Sequence, residues 1–199
     1  MKDLLLGTKM KKTIIFLFVV FSCYSCIPGN KNNYFSQQTK SAEDKLIPVD
    51  KRGLSLSYGI IKTIHGAITI KFFPTKAPKS VKRFLTLVQT GFYDGLSFHR
   101  AINNFLIQSG DPTNSGFGGS GVKLKQEFNN SPHIKGTLAL ARDKDPDSAD
   151  SQFYIALSTL PHLNGKYTVI GQVTKGLNVL DKISKGDKII SFTYNPNPY

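Results

Sequence analysis

The chain has 199 residues, 40% of them hydrophobic and 20% charged, so it can bury a core and is not an intrinsically disordered chain. Lys and Arg number 26 against 13 Asp and Glu, and the resulting net charge of +13 can favour anionic surfaces but does not indicate a fold. The 2 Cys and the 4 dispersed His exclude a disulfide-built scaffold, a Cys-rich zinc module and a local His-rich metal motif.

Residues 9–22 have the pattern of an export signal. A basic start, Lys-Met-Lys-Lys, is followed by an apolar run over residues 13–21 and by a small residue. The run is too short to span a hydrocarbon core of about 30 Å, which needs roughly 20 apolar residues. We therefore predict a signal peptide over residues 1–22 that starts at Met1 or at Met10, with a buried N-terminal strand as the alternative.

The two cysteines follow this apolar run directly. Cys23 and Cys26 each end a segment that resembles a loose bacterial lipoprotein box, in which apolar or small residues precede a Cys that becomes acylated. Val20 stands three residues before Cys23, whereas Cys26 has only Cys23 at that place, so Cys23 is slightly favoured. We predict a lipid-anchor region and a flexible tether over residues 23–53, because the segment is polar and has little periodicity. Ordinary secretion, a retained anchor and a Cys23–Cys26 disulfide stay open.

A mostly β domain is predicted over residues 54–195. It opens with two β-rich runs, 57–63 and 67–73. His65 and Gly66 separate these runs, and this spacing with a glycine is typical of a β-hairpin.

A helix is predicted to begin at Pro78 and to end at Gly91, because apolar residues recur between them at spacings of three and four. A second helix is predicted over residues 177–184 and a last strand over 189–194, with a tail at 196–199. Between the helices the short apolar segments cover 96–98, 105–109, 137–141, 152–157 and 168–173. Many short strands with two isolated helices indicate a closed β-barrel with helices over its ends.

Three segments embed polar residues among apolar ones. They are Phe-His-Arg-Ala-Ile-Asn-Asn-Phe-Leu-Ile-Gln-Ser-Gly-Asp at 98–111, the pair of runs within 136–155, and Pro-His-Leu-Asn-Gly-Lys-Tyr-Thr-Val-Ile-Gly-Gln-Val at 161–173. Strand alternation in the first segment predicts that Phe105, Ile107 and Ser109 share one side and that Leu106 and Gln108 share the other. An arginine and two glutamines near several aromatic residues fit a peptide-binding pocket, but they do not by themselves name a reaction.

In this order the segments resemble those of the cyclophilin family of peptidyl-prolyl cis/trans isomerases, from about residue 56 to residue 194. The motif Phe-His-Arg followed by Phe-Leu-Ile-Gln-Ser-Gly-Asp is specific to that family, and so is Ser-Gln-Phe-Tyr-Ile with His-Leu-Asn-Gly-Lys-Tyr-Thr-Val-Ile-Gly downstream. The resemblance implies a closed eight-stranded antiparallel barrel capped by two helices. It also implies prolyl isomerase (rotamase) activity on proline-containing polypeptides, without a metal or another cofactor.

The resemblance also implies roles for individual residues. It assigns catalysis to Arg100, which would act on the prolyl amide, to Phe105 in the proline pocket, and to Gln108, which would hold the arginine and the substrate carbonyl. It assigns substrate binding to Leu106, Gly116, Gly118, Gly119, Ala141, Arg142, Gln152, Tyr154, His162, Leu163 and Tyr167. His99, although part of the motif, is expected to be structural.

The sequence departs from the commonest family pattern at several of these positions. Leu106 stands where Met is usual, a swap that nearly conserves volume. Tyr154 replaces Phe and adds a hydroxyl that must find a partner or water. Arg142 replaces Asn, His162 stands where many members carry Trp, and Tyr167 where many carry His. We expect the changes at His162 and Tyr167 to alter specificity and inhibitor sensitivity.

Taken together, the sequence predicts an exported, lipid-anchored prolyl isomerase that assists the folding of envelope or surface proteins. The protein is expected to lie in the cell envelope on the periplasmic or surface face, to be a monomer, and to bind no specific nucleic acid. Two alternatives stay open. One is a chaperone on the same fold that binds proline-containing peptides without turnover, and the other is an adhesin-like surface protein that uses the positive charge.

Overall fold

The computed structural model describes residues 57–195. The predicted signal peptide, the lipidation at Cys23 or Cys26, the tether over residues 23–53, the first three residues of the predicted domain and the tail at 196–199 lie outside the described residues. None of the helices among the described residues has the length and apolar character needed to cross a membrane.

Eight β-strands within residues 57–195 form one antiparallel sheet, which is rich in the β-branched and aromatic residues that suit a pleated surface. The strands are β1 (Tyr58–Thr63), β2 (Gly66–Phe72), β3 (Arg100–Ile102), β4 (Leu106–Ser109), β5 (Thr137–Leu140), β6 (Phe153–Ala156), β7 (Val169–Lys175) and β8 (Ser191–Asn195). Their order across the sheet is β3-β4-β6-β5-β7-β2-β1-β8. The hairpin predicted from His65 and Gly66 is confirmed, because β1 pairs with β2 from Tyr58–Lys71 to Thr63–Gly66.

The two edges of this sheet, β3 and β8, are connected mainly through the segments that precede them. Ser97 forms an isolated antiparallel bridge with Lys188, and the Gly95 N–H donates to the Ile189 carbonyl over 2.7 Å. Among the strands of residues 57–195, no ladder pairs β3 with β8. The predicted eight-stranded antiparallel architecture is therefore confirmed, but the closed barrel is overstated and the sheet is better described as curled.

Two α-helices accompany the sheet in the described part of the chain, α1 (Pro78–Gln89) and α2 (Leu177–Leu180). Proline in the first turn of α1 suits a helix start, and the Glu127 carboxylate accepts hydrogen bonds from the Lys79 and Ser80 N–H groups. The second helix is shorter than the predicted 177–184. The Ser184 N–H donates to the Asp187 carboxylate, 2.8 Å away, instead of extending the helical ladder.

The short apolar segments predicted at 105–109, 137–141 and 152–157 contain β4, β5 and β6, and the segment at 168–173 covers all of β7 except its last two residues. The segment at 96–98 is not a strand and makes only the single bridge of Ser97. Strand β3 lies outside all predicted segments. It has three residues, one of them Arg100, so neither its length nor its hydrophobicity marks it as a strand.

Apolar side chains pack into two clusters on opposite faces of the central strands. The larger cluster lies between the sheet and α1, and its aromatic members include Phe72, Phe84, Tyr93, Phe153 and Phe192. The smaller cluster is built on Leu106, Ala139, Tyr154 and Val169, with Phe73, Phe105, Ala141, Leu163 and Tyr167 packed against it. Because neighbours on a strand point to opposite faces, β4 and β6 contribute to both clusters. Six of the predicted site residues belong to the smaller cluster: Phe105, Leu106, Ala141, Tyr154, Leu163 and Tyr167.

Candidate active site

A cavity of about 280 Å³ lies over the smaller cluster. Its nine lining residues are Arg100, Phe105, Leu106, Gln108, Ala141, Arg142, Tyr154, Leu163 and Tyr167. All of them are among the residues that the sequence assigned to catalysis or substrate binding, so the structure brings these predicted residues together. The floor is apolar and aromatic, and the two arginines stand at the rim. We call this the proline cavity.

Arg100 is positioned by the β3–β4 hairpin. It lies directly opposite Gln108 in the ladder, and its Nη1 donates to Gln108 Oε1 over 3.3 Å. Its guanidinium carbon lies 5.8 Å from the centre of the Phe105 ring. Arginine carries its charge at every relevant pH and has a rigid fork of donors, so this hairpin presents a fixed cation beside an apolar floor.

Phe105 does not follow the predicted alternation. The sequence placed it on the same side as Ile107, but its ring packs with Leu106 in the smaller cluster, whereas Ile107 lies in the larger one. Phe105 precedes β4 and belongs to the turn, in which Asn104 has a φ of 57°. The alternation of side chains along a strand therefore does not apply to Phe105, because β4 begins only at Leu106. The left-handed backbone of Asn104 lets the Phe105 ring face the cavity.

A second cavity, of about 130 Å³, adjoins the first. The residues that line it are Gln108, Gly116, Phe117, Gly118, Lys123, Ala141, Arg142, Asp143, Ser148, Asp150 and Gln152. Gln108, Ala141 and Arg142 line both cavities. We call the second one the polar cavity, because its lining consists mainly of glycine, amide and charged groups.

A chain of amide hydrogen bonds connects the two cavities. Gln108 Nε2 donates to Gln152 Oε1 over 2.8 Å, and Gln152 Nε2 donates to the carbonyls of Gly116 and Gly118 over 2.9 and 2.8 Å. Since Gln108 also accepts from Arg100, the guanidinium is linked through two side-chain amides to the glycine-rich loop. The arrangement restrains the rotamers of both glutamines.

The glycine-rich loop is anchored by Asp111, a buried carboxylate that the sequence analysis did not single out. Burial by itself would raise the pKa of Asp111, but hydrogen bonds from the Thr113 hydroxyl and N–H and from the Gly116 and Gly118 N–H groups lower it to about 2. The sequence Asp-Pro-Thr, which is common in turns, is the feature from which a loop-anchoring role of Asp111 could have been predicted.

Gly119 lines neither cavity, and its predicted substrate-binding role stays a prediction. It packs on the Asp150 side chain, and a Cβ at this position would lie 2.6 Å from Asp150 Oδ2. Glycine is therefore needed here for close packing under the loop.

Phe117, which was not predicted as a site residue, is 95% exposed at the rim of the polar cavity. The only feature of the sequence that could have marked Phe117 is its place as a single aromatic residue among glycines.

Arg142 is held by the loop that carries Tyr167. Its guanidinium carbon lies 4.8 Å from the Tyr167 ring centre and 5.6 Å from that of Phe128. Its Nε and Nη2 donate to the Lys166 carbonyl, and Nη1 donates to the Asp143 carbonyl over 2.8 Å. The residue that replaces the usual Asn thus supports the wall of the proline cavity through its side chain.

The extra hydroxyl of Tyr154 has a buried partner. It lies 2.8 Å from His133 Nε2, and the Tyr154 ring packs edge-on against Tyr167 with ring centres 5.6 Å apart. Burial, reinforced by Tyr167, raises the pKa of Tyr154. The predicted need for a partner is confirmed, but His133 itself was not expected from the sequence.

Two further histidines lie near the site. His162 is outside the proline cavity lining, and its ring stacks on Phe105 with a 5° interplanar angle and 6.2 Å between ring centres. It therefore contacts the cavity through Phe105, which lines it. His99 lines neither cavity, and burial lowers its pKa. No group of three or more His, Cys, Asp or Glu in residues 57–195 could hold a metal ion.

Comparison with known proteins decides the family. Residues 58–196 match the family model described as cyclophilin type peptidyl-prolyl cis-trans isomerase/CLD. The chain belongs to the cyclophilin family. Among curated cyclophilin relatives, a peptidyl-prolyl cis-trans isomerase of Helicobacter pylori is 42% identical over 143 residues, which is 70% of this chain and 87% of the relative. A cyclophilin relative with the same description from Synechococcus elongatus is 41% identical over 138 residues, 68% of this chain and 94% of the relative.

The solved structures agree with this assignment. A cyclophilin type peptidyl-prolyl cis-trans isomerase of Cryptosporidium parvum superposes with a TM-score of 0.67 at 31% identity, covering 72% of this chain and 99% of that one. The same description applies to a structure obtained in the presence of the dipeptide Ala-Pro, with a TM-score of 0.66 at 32% identity, covering 70% of this chain and 99% of that one. The predicted enzyme class, a cyclophilin-type peptidyl-prolyl isomerase, is therefore confirmed.

Proposed function

We propose that this cyclophilin catalyses Xaa-Pro rotation by aiming the Arg100 guanidinium at the twisted prolyl amide while the ring sits in the proline cavity. The observation that carries the proposal is the placement of Arg100 at the rim, hydrogen-bonded to Gln108 and 5.8 Å from the Phe105 ring centre. A fixed cation over an apolar floor is the arrangement that such a reaction requires.

The reaction breaks no σ bond, so it needs neither a nucleophile nor a metal. The obstacle is the partial double bond of the prolyl amide, a barrier of about 18–20 kcal/mol. Lowering it by about 7 kcal/mol accelerates rotation roughly 10⁵-fold. When the amide twists, its nitrogen becomes pyramidal and recovers a lone pair. A guanidinium donor stabilises that state more than the planar one, which is the differential binding that catalysis requires.

The surrounding residues support this step. Phe105, Leu106, Tyr154 and Leu163 offer an apolar site in which the proline ring can be held while the preceding part of the peptide rotates. Exclusion of water from this site strengthens the contact between Arg100 and the substrate. Proline-containing polypeptides are the substrates that fit this cavity, and the Ala-Pro dipeptide named with the Cryptosporidium structure has the same chemistry.

The test is to compare the parent with Arg100→Ala and Arg100→Lys variants in a cis-to-trans assay on a short Xaa-Pro peptide. Loss of one electrostatic donor is expected to lower kcat by about 10²–10³-fold in Arg100→Ala. Arg100→Lys keeps the charge but loses the fork, so an intermediate rate is expected. Circular dichroism checks that the variants fold. If Arg100→Ala keeps the parent rate, the arginine mechanism is wrong. A folded parent that binds the peptide without turnover would favour the non-catalytic chaperone.

We also propose that the protein is an exported lipoprotein, anchored through Cys23 or Cys26 on the periplasmic or surface face of the envelope. The basic start and apolar run of residues 9–22, followed by cysteines, support this setting. Metabolic labelling with a palmitate analogue should mark the parent and not the Cys23→Ala, Cys26→Ala double variant. The single variants identify the acylated residue. Labelling that persists in the double variant would contradict the anchor.

We also propose that the protein is a monomer, and size-exclusion chromatography tests this.

A further inference from the structure

A buried histidine lies directly under the proline cavity. His133 is inaccessible to solvent, and its Nδ1 lies 3.1 Å from Asn164 Oδ1 while its Nε2 lies 2.8 Å from the Tyr154 hydroxyl. The same Asn164 oxygen also accepts from the His133 backbone N–H over 2.8 Å. Each ring nitrogen therefore has a hydrogen-bond partner, and the two partners lie on different structural elements.

The partners define the protonation state of this ring. An amide oxygen can only accept, so Nδ1 carries the proton, and Nε2 accepts a hydrogen bond from the Tyr154 hydroxyl. Burial lowers the pKa of His133 below its ordinary value, and His162 acts in the same direction although the bond to Asn164 opposes it. The neutral ring with its proton on Nδ1 is the form that satisfies both neighbours.

His133 joins the floor of the proline cavity to its wall. Tyr154 on β6 forms part of the floor. The wall includes Leu163, which lies on the short 3₁₀ helix Pro161–Leu163. His133 holds both ends of that helix, because its carbonyl accepts from the Leu160 N–H over 2.8 Å and its N–H and ring bind Asn164.

We propose that His133 is a positioning residue of the isomerase site, whose neutral ring sets the spacing between the Tyr154 floor and the Leu163 wall. The inference rests on the proposed function, since it assumes that this cavity receives the proline ring. Protonation would turn Nε2 into a donor facing the Tyr154 hydroxyl, whose own proton would then need another acceptor in a buried site. The protonated protein therefore binds a prolyl peptide more weakly than the neutral one.

The titratable groups around His133 do not supply a compensating charge. Tyr154 faces it from β6, and Tyr167 packs edge-on with its ring centre 6.3 Å away. Burial raises the pKa of Tyr154, so its phenol is neutral at the pH at which a histidine titrates. His162, on the 3₁₀ helix, disfavours a positive charge on His133, and Arg142 stacks on Tyr167. The pH response is thus expected to belong to His133 itself.

Nuclear magnetic resonance of the histidine rings tests the inference without turnover. We expect the His133 ring to titrate below the ordinary range, and a saturating uncharged peptide, acetyl-Ala-Pro-amide, to lower that midpoint further. If the neutral form binds at least about 5-fold more tightly, linkage requires a shift of about 0.7 pH units or more. An unchanged midpoint in the peptide-saturated protein would overturn the inference.

Kinetics supply the second readout. From about pH 7.5 to about pH 5, KM of the parent should rise while kcat stays within about twofold, because the loss lies in binding. His133→Gln should flatten this rise. Tyr154→Phe keeps the aromatic ring in the cavity floor but removes the hydroxyl that pairs with His133. This variant should raise KM at neutral pH toward the KM that the parent has at acidic pH. His65→Gln is the matched control, since His65 pairs with Asp187 away from both cavities and should leave the profile unchanged.

The two proposals fail in distinguishable ways. A peptide-induced shift of the His133 midpoint without turnover in the parent would leave the positioning role intact and contradict the proposed catalysis. Normal turnover with no shift, and with a KM independent of pH, would contradict the positioning role alone. If His133→Gln does not fold, the shift in the parent and the KM of Tyr154→Phe still decide the outcome.

Discussion

The proline cavity and the polar cavity share Gln108, Ala141 and Arg142, yet they are built by different means. The proline cavity has a floor of packed apolar and aromatic side chains that continue into the smaller cluster. The polar cavity is bounded by a loop held through hydrogen bonds to Asp111 and Gln152. One is a surface maintained by packing, and the other is maintained by a polar network.

This difference indicates that the two cavities contribute differently to catalysis and to binding. In the proposed mechanism, the interaction that becomes stronger as the amide twists is made by Arg100, which lines the proline cavity and not the polar cavity. Contacts in the polar cavity act equally on the planar and the twisted peptide, and they are expected to change KM more than kcat. The shared glutamine and arginine keep the two cavities in a fixed relation.

Removal of the Phe105 ring should produce the largest effect in this comparison. Loss of a buried aromatic contact, worth about 1.5–3 kcal/mol, is expected to lower kcat/KM by about 10- to 100-fold in Phe105→Ala. Phe105 also stacks on His162 and lies beside Arg100, so kcat should fall together with binding. The measurement is the steady-state rate on a short Xaa-Pro peptide. A loss confined to KM would show that Phe105 only anchors the ring.

Asp111→Asn should destabilise the loop side of the polar cavity. Because the folded-state pKa of about 2 lies below the ordinary 3.8, the carboxylate contributes about 2 kcal/mol of stability at neutral pH. This contribution is fully present above the unfolded pKa and is lost as the pH falls from about 4 through about 2. Urea unfolding at several pH values measures it.

The control for Asp111→Asn is Asp181→Asn. Asp181 forms an exposed ion pair with Lys135, so its replacement should change stability by less than about 1 kcal/mol. Equal stability losses in the two variants would contradict the anchoring role of Asp111.

Gln152→Ala should uncouple the two cavities at a smaller cost. The variant leaves Gln108 without its acceptor and the loop carbonyls without their donor. At a net value of about 1 kcal/mol for a hydrogen bond, we expect kcat/KM to fall about 5-fold. Gln172→Ala is a matched control, because Gln172 also bridges two groups but lies outside both cavities. Similar activity losses in both variants would contradict the proposed link to Arg100.

Phe117→Ala should have the smallest effect on a short substrate. The side chain is 95% exposed, so its removal should change kcat/KM of a dipeptide-sized substrate by less than about twofold. Longer peptides that cross the polar cavity provide the sensitive comparison. A large loss on the short peptide would show that Phe117 contacts the proline segment directly, and the distinction between the two cavities would then fail.

Local sequence signals predicted much of the fold because they act within a few residues. The glycine after His65 predicted the β1–β2 hairpin, and Pro78 predicted the start of α1. The motif residues carried the family resemblance, and with it nine residues that line the proline cavity. Strand β3 was missed because three residues show no usable periodicity.

Contacts and turns that the sequence patterns did not encode account for the differences. The Asp187 carboxylate binds the Ser184 N–H beyond the end of α2, and Gly119 packs on the Asp150 side chain. The turn at Asn104 redirects Phe105, because a left-handed residue interrupts the alternation of the strand.

By itself, the sequence determined the strand-rich class, the start of α1 and the set of residues that meet at the proline cavity. These follow from hydrophobic periodicity, from turn chemistry and from the motifs. The tertiary structure alone decided which polar groups pair across the fold, such as Tyr154 with His133 and Gln108 with Gln152. A buried donor or acceptor is satisfied by whichever group packing brings within hydrogen-bond distance, and residue spacing along the chain does not encode that neighbour.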